Sequence, residues 1–194
     1  KGYIKVIKNG ANIYATTSQN GSTSLDSSTT LYVDLSTNPD LNKFEGAIQS
    51  IEMPHDFLTI TVEKSSLKSI MKFLHDDESL NFHFLTTLCG LHFPDQAAQF
   101  GMMYQLHNMP ANFRIRIKSF TNDSEPVFDT MSDIWPAANW QERETHDFYG
   151  FRFHGHPDMR RILNMDSLVG WPMRKEFPLE DPFRGDKDDK MFGR

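Results

Sequence analysis

Apolar and polar residues alternate along Phe113–Phe120, FRIRIKSF, placing Phe113, Ile115 and Ile117 on one face and Arg114, Arg116 and Lys118 on the other. A period of two predicts a strand with one face in a core and the other half-exposed. Residues 57–62 alternate in the same way, with Leu58, Ile60 and Val62 opposite Phe57, Thr59 and Thr61. Ala47–Met53 reads as a partner strand across a Pro54-His55-Asp56 turn, and Asn81–Phe93 and Phe100–His107 as two further strands. Met109–Asn112 (MPAN) is a hairpin connection and Val127–Thr130 a short strand. The period changes over Lys64–Leu74, where Leu67, Ile70, Met71 and Leu74 fall at i, i+3, i+4 and i+7 and predict an amphipathic helix laid on the sheet. A second helix is predicted over Met131–Tyr149, interrupted or kinked at Pro136 and stopped at Gly150.

The ends of the chain are less regular. Lys1–Ala15 holds β-formers and suits a short strand or docked arm. Thr16–Thr30 is nearly all Ser, Thr, Asn, Gln and Gly and reads as a linker, because it cannot bury enough apolar surface to fold alone. Residues 31–35 (LYVDL) suit a strand, and Asp40–Phe44 a short helix. Beyond Leu163 no period persists. Trp171, Met173, Phe177, Leu179, Phe183 and Phe192 make residues 164–194 too aromatic for a disordered tail, so an arm held by a partner is expected.

Composition narrows the functional classes. Among 194 residues, 38% are hydrophobic and 24% charged, with a net charge of −6 and no basic block, which disfavours nucleic-acid binding. No apolar run approaches the roughly 20 residues of a membrane span, and no signal peptide is visible. Cys89 is the only cysteine, so an internal disulfide, a thiolate zinc site and an iron–sulfur cluster are all excluded. The 16 Phe and 10 Met suggest an AT-rich genome such as an organelle's.

Candidate chemistry concentrates in Trp140–Leu163, WQERETHDFYGFRFHGHPDMRRIL. On a helix, Trp140, Arg143, Glu144, Asp147 and Phe148 share one face, and that face is expected to enter the core. Buried ions cost several kcal/mol each unless paired. A network is therefore expected, with Arg143 paired to Asp147 four residues on and with Arg160 and Arg161 offering forks to the acids. Pro157-Asp158 is expected to open a short helical turn over MRRIL. His146, His154 and His156 with Glu142 and Asp147 supply metal-ligand types, but in no metalloenzyme spacing. Gly150 to Gly155 lacks the Lys-Ser/Thr that a phosphate loop requires, and no dinucleotide fingerprint occurs. Acid–base chemistry by Glu142, Glu144 and Asp147 lacks a nucleophile or an arguable pocket, and Cys89 in a Phe-rich strand is most simply core.

The same residues carry a resemblance. Trp140, Glu142-Arg143-Glu144, Asp147 and Gly150, followed by His156-Pro157-Asp158, Met159 and Arg160-Arg161-Ile162-Leu163, closely resemble the signature of the 30-kDa subunit of respiratory complex I, the proton-pumping NADH:ubiquinone oxidoreductase. Ala137-Ala138-Asn139 before it also fits. Pro172-Met173-Arg174-Lys175-Glu176-Phe177-Pro178-Leu179 is similar to the family's Pro-Leu-Arg-Lys-Asp-Phe-Pro-Leu, departing at Met173 and Glu176. Cys89–Pro94 departs from the acidic and hydrophobic run found there, and residues 1–35 match nothing in the family.

The resemblance implies an α+β fold: a two-layer domain with helices packed on a mixed, largely antiparallel sheet, plus an extended irregular C-terminal arm. Residues 1–35 would be an N-terminal extension, 36–163 the family domain and 164–194 the arm. It implies a non-catalytic subunit in the quinone-reducing module of the peripheral arm, with no active site, metal or cofactor of its own. FMN and iron–sulfur clusters would reside in partner subunits, and its partners would be other subunits of the complex, chiefly the 49-kDa subunit and neighbouring iron–sulfur subunits. Membrane association would come through the complex alone, on the matrix side of the mitochondrial inner membrane or the cytoplasmic side of a bacterial plasma membrane. Trp140, Glu142, Arg143, Glu144, Asp147, Gly150, His156, Pro157, Asp158, Arg160 and Arg161 would be the structural signature. Trp171, Arg174, Lys175, Phe177, Pro178 and Phe183 would be the partner-contacting part of the arm. The competing reading is a free-standing enzyme with a His/carboxylate metal site.

Overall fold

The computed structural model describes Phe44 and residues 46–178. The expected elements within 1–43, and Leu179, Phe183 and Phe192 of the arm, lie outside the described residues. A five-stranded sheet carries the fold. Its strands are β1 (Ile48–Glu52), β2 (Thr59–Val62), β3 (Phe84–His92), β4 (Phe100–Asn108) and β5 (Phe113–Thr121). They lie in the order β1-β2-β5-β4-β3. Only the β2–β5 pair is parallel; the other three pairs are antiparallel. The one parallel step is where α1 (Lys64–Asp76) leaves β2, since strands paired in parallel cannot be joined by a tight hairpin.

Each strand forms where alternation places it. Ile115 and Ile117 of β5, Met102, Tyr104 and Leu106 of β4, and Leu85 and Leu88 of β3 are buried on one face. Leu67, Ile70, Met71 and Leu74 of α1 join the same core. Each such side chain contributes on the order of 1.5–3 kcal/mol when fully buried. The β4–β5 hairpin turns through Met109–Asn112, where Asn112 donates its N–H to Met109 O at 3.1 Å and Asn108 Oδ1 accepts from Ala111 at 3.0 Å.

Two expectations are corrected here, and one strand is added to them. The second helix, α2, spans Ala138–Tyr149 and begins after Pro136. Residues 131–137 form turns instead, consistent with the bias that a proline places on the residue before it. After Gly150 the chain forms a strand not expected from the sequence, β7 (Arg152–His154), paired in parallel with β6 (Val127–Asp129). No helical turn forms over Met159–Leu163, which runs as an irregular strap.

α2 packs against β3 at Gly90. A Cβ there would stand 2.9 Å from Thr145 Cγ2 and 3.0 Å from Tyr149 Cδ2. The missing side chain lets the helix come this close, and Gln141 Oε1 then accepts the Leu88 N–H on the outer edge of β3 at 2.5 Å. Among the described residues no helix is long and apolar enough to cross a membrane.

Candidate functional site

The buried face of α2 is not the expected one. Ala138, Glu142 and Thr145 are buried, whereas Trp140 is 63% exposed and Glu144 is exposed. The Arg143 guanidinium stacks on the exposed Trp140, 5.0 Å from the ring centroid. The side chains that reach the sheet are those small enough to fit over Gly90, or able to find a polar partner inside.

Glu142 is fully buried, and its partners are not arginines. Oε1 accepts the Met131 N–H at 2.6 Å and Oε2 bonds Thr130 Oγ1 at 2.6 Å. These contacts tie α2 to the segment that follows β6. Burial pushes the Glu142 carboxyl up to about 7 against the opposing pull of the Thr130 and Met131 hydrogen bonds. His156, whose side chain is also fully buried, places Nε2 3.9 Å from Glu142 Oε2. Its Nδ1 accepts the Asp158 N–H at 3.0 Å, so Nε2 carries the proton and donates to Asn139 O at 3.1 Å.

Asp147 is buried on the other side of α2. Its Oδ2 accepts the backbone N–H groups of Ile162, Leu163 and Asn164 at 3.2, 2.8 and 2.8 Å. Burial opposes ionisation, but the Asn164, Leu163 and Ile162 amides outweigh it and hold the carboxyl below the usual aspartate range. Arg161 Nε stands 3.8 Å from Asp147 Oδ1. The expected Arg143–Asp147 pair does not form. Arg143 Nε instead donates to Arg160 O at 3.0 Å, and Arg160 pairs at the surface with Asp158, 2.7 Å from Nη2 to Oδ2. That contact holds the Asp158 carboxyl down to about 2. The network therefore works chiefly by carboxylates gripping backbone amides, with arginines bracing the strap. Backbone donors are fixed by the chain path and lose less freedom than a long arginine side chain. Pro157 is exposed at the start of the strap.

The strap is pinned again at the C-terminus of α2. Gly150 adopts φ 75 and ψ 22, and its N–H donates to His146 O at 2.8 Å. The Trp171 indole covers the place where a side chain on Gly150 would project. Arg161 stacks on Trp171 at 4.9 Å and His146 packs beside it at 5.6 Å. Arg174 Nε donates to Tyr149 O at 2.7 Å, its guanidinium lies 4.7 Å from the Phe100 centroid, and the Met173 N–H donates to Phe148 O at 3.1 Å. The Lys175 N–H donates to His92 Nδ1 at 3.0 Å, Phe177 is half-buried near Gly170, and Pro178 is exposed. Residues 164–178, read from sequence as an arm that needs another protein, therefore lie along their own domain. An open cleft of about 380 Å³ is lined by Ser124, Glu125, His146, Gly150, Arg152, Trp171 and Arg174. Neither Glu142 nor Asp147 lines it.

The histidines do not converge. His146 Nδ1 bonds Phe151 O at 2.8 Å, His154 is exposed beside Asp129, and His156 is buried against Asn139. Among the described residues no three His, Cys, Asp or Glu side chains are placed to share a metal ion. The Cys89 thiol is pushed up by burial and by Glu144, the reverse of an activated nucleophile. Sequence reasoning missed Thr130, Gln141, Thr145 and His92. Only Gly90 in mid-strand, a sign of close backbone approach, pointed toward them.

Both the sequence and the fold have known counterparts. Residues 60–183 match the family described as respiratory-chain NADH dehydrogenase, 30 Kd subunit. An NADH-quinone oxidoreductase subunit of Hyphomonas neptunium is 38% identical over 143 residues, covering 74% of this chain and 70% of that one. The equivalent subunit of Methylobacterium sp. strain 4-46 is 40% identical over 134 residues, 69% of this chain and 62% of that one. Among solved structures, the trypsin-resistant fragment of Nqo5 aligns with a TM-score of 0.53 at 27% identity, covering 60% of this chain and 92% of the fragment. A chain of an archaeal membrane-bound sulfane sulfur reductase aligns with a TM-score of 0.61 at 23% identity, covering 77% and 93%, and shares the fold. The family match runs from Ile60 in β2 through α1, β3, β4, β5, α2 and the strap, leaving β1 outside it, and the chain belongs to the 30-kDa subunit family of respiratory-chain NADH dehydrogenase.

Proposed function

We propose that this chain is a non-catalytic core subunit in the peripheral, quinone-reducing arm of a proton-pumping NADH:quinone oxidoreductase, where it supports assembly while partner subunits transfer the electrons. One observation carries the reading. The signature carboxylates Glu142 and Asp147 are occupied by internal amides and a hydroxyl, while the strap they hold turns large apolar side chains outward. Leu163 is 63% exposed, Met165 72%, Val169 89% and Met173 51%. Apolar residues gathered on one held segment mark a protein-binding surface. Here the strap would dock on the 49-kDa subunit, with FMN and iron–sulfur clusters held by partner subunits. The complex would place the chain on the cytoplasmic face of a bacterial plasma membrane, as the bacterial relatives favour, or on the matrix side in a mitochondrion.

The test is a native gel of solubilised membranes stained for NADH oxidation and probed for this chain. Co-migration with a very large NADH-oxidising band is expected. A free species of the chain's own mass, 22.4 kDa, would reject the reading, and stoichiometric metal in such a monomer would favour a metalloenzyme.

A further inference from the structure

The sheet has a second face, which α1 and α2 do not cover. Cross-strand partners share a face, and the registers place His107 beside Arg114, Gln105 beside Arg116 and Met103 beside Lys118. All of them lie opposite the core residues Ile115 and Ile117. β5 is the central strand of the sheet, so Arg114, Arg116 and Lys118 form a row of three cations along its middle. Successive members stand two residues apart, about 7 Å. No ion pair is formed by any of the three among the described residues, although Lys64, Lys68, Arg152, Arg160, Arg161 and Arg174 all have one. Two acids flank this face: Glu52 on edge strand β1, across from Thr59, and Glu144 on α2, whose charge acts on Cys89.

Two buried nitrogens on the face also lack partners. Arg116 Nε is enclosed without a hydrogen bond, its guanidinium stacked 4.7 Å from the Phe57 centroid. His107 is 7% exposed, and its Nε2 is likewise enclosed and unpaired, with Phe84 set edge-on against the ring. A buried polar group without a partner is costly. The row of cations, which form no ion pair among the described residues, and two orphaned nitrogens therefore share one face, and it is the cations that ask for acceptors from outside.

We propose that this face, turned away from α1 and α2, is a second docking surface that takes an acidic segment of a partner protein, its carboxylates pairing with Arg114, Arg116 and Lys118. The chain carries a net charge of −6, so long-range attraction to acidic proteins is not general and must come from this local row. The spacing suits an extended segment with acids at alternate positions, run along β5. The surface is distinct from the apolar strap, but it rests on the proposed membership of a multisubunit assembly.

The experiment is zero-length carbodiimide cross-linking of the intact NADH-oxidising complex, with Lys118 links mapped by mass spectrometry. It is paired with native-gel retention of Arg114→Glu/Lys118→Glu at low and high salt. Lys118 is expected to link to an Asp or Glu of another subunit. The double reversal is expected to lower retention about tenfold at low salt, with Lys118→Arg retained like the parent. The proposal is overturned, with assembly membership intact, if the parent co-migrates but Lys118 links only within its own chain or to lipid and the double reversal is retained normally. If the parent does not co-migrate, both readings fall.

Discussion

The Trp171 indole lies against the backbone of Gly150, occupying the space into which any side chain at that position would project. Two demands meet there. The helix end needs a left-handed residue at φ 75, and the returning strap needs a bare backbone to rest on. Gly150→Ala is expected to destabilise the domain by about 1–3 kcal/mol, through strain and through displacement of the indole. Trp171→Ala relieves the clash. In a double-mutant cycle on the melting temperature, the two losses should therefore fall short of additive. Full additivity would show that the indole does not rest on Gly150.

Asp147 gives a second prediction. Asp147→Ala leaves three strap amides without their acceptor and should cost about 2–4 kcal/mol. Arg143→Ala removes only a half-exposed contact to Arg160 O and a stack on Trp140, and should cost under about 1 kcal/mol. Chemical denaturation of the two variants measures the contrast. A larger loss for Arg143 would restore the ion-pair network. Because the Asp147 carboxyl sits lower when folded than when unfolded, its contribution is present above the ordinary aspartate value of about 3.9. It disappears as pH falls through the lower folded value. Strap amides 162–164 should then lose protection, measured against their intrinsic exchange rates, as the pH falls, and Asp147→Asn should flatten that dependence.

Glu142 has the opposite sign. Its folded carboxyl is raised to about 7, so the stability tied to its bound proton is fully present below the unfolded value of about 4.3 and is lost as pH rises through about 7. Glu142→Gln keeps an acceptor for Met131 and can donate to Thr130 Oγ1. The variant is expected to match the parent in mild acid and to exceed it above neutrality. A thermal-unfolding series across this window decides the matter; parallel curves for the two proteins would mean that Glu142 does not titrate there.

The exposed strap residues make the fourth prediction. Met165→Asp and Val169→Asp touch no core, so the melting temperature of the chain should shift little, within about 0.5 kcal/mol of stability. If the strap docks on a partner, the same changes should sharply reduce co-migration with the NADH-oxidising band. Normal assembly of both variants would remove the strap from the interface.

The strands of the sheet could be read almost residue by residue, because alternation in Phe113–Phe120 and helical spacing in Lys64–Leu74 each reflect a single buried face. The phase of α2 could not. Its largest aromatic, Trp140, lies in solvent under Arg143, while Thr145 and Tyr149 go inward because Gly90, some fifty positions away in sequence, leaves room for them. Periodicity in one segment carries no information about a glycine in another. β7 was hidden for a related reason: a three-residue strand in a parallel pair has too few positions to show a period. The signature residues could be recognised, but not what each one holds. The partners of Asp147 and Glu142 are main-chain amides and a threonine hydroxyl, and an amide is present at nearly every position.

The contact between Gln141 and the Leu88 N–H also bears on the life of the chain before it finds its partners. A sheet edge with free amides can recruit a stray strand from another molecule and seed a fibre. Here α2 stands along β3 and Gln141 takes up one of those amides, so the long outer strand is guarded on that side while the protein is still alone. Gln141→Ala should therefore do most of its harm as a newly made, unassembled protein, in self-association and turnover.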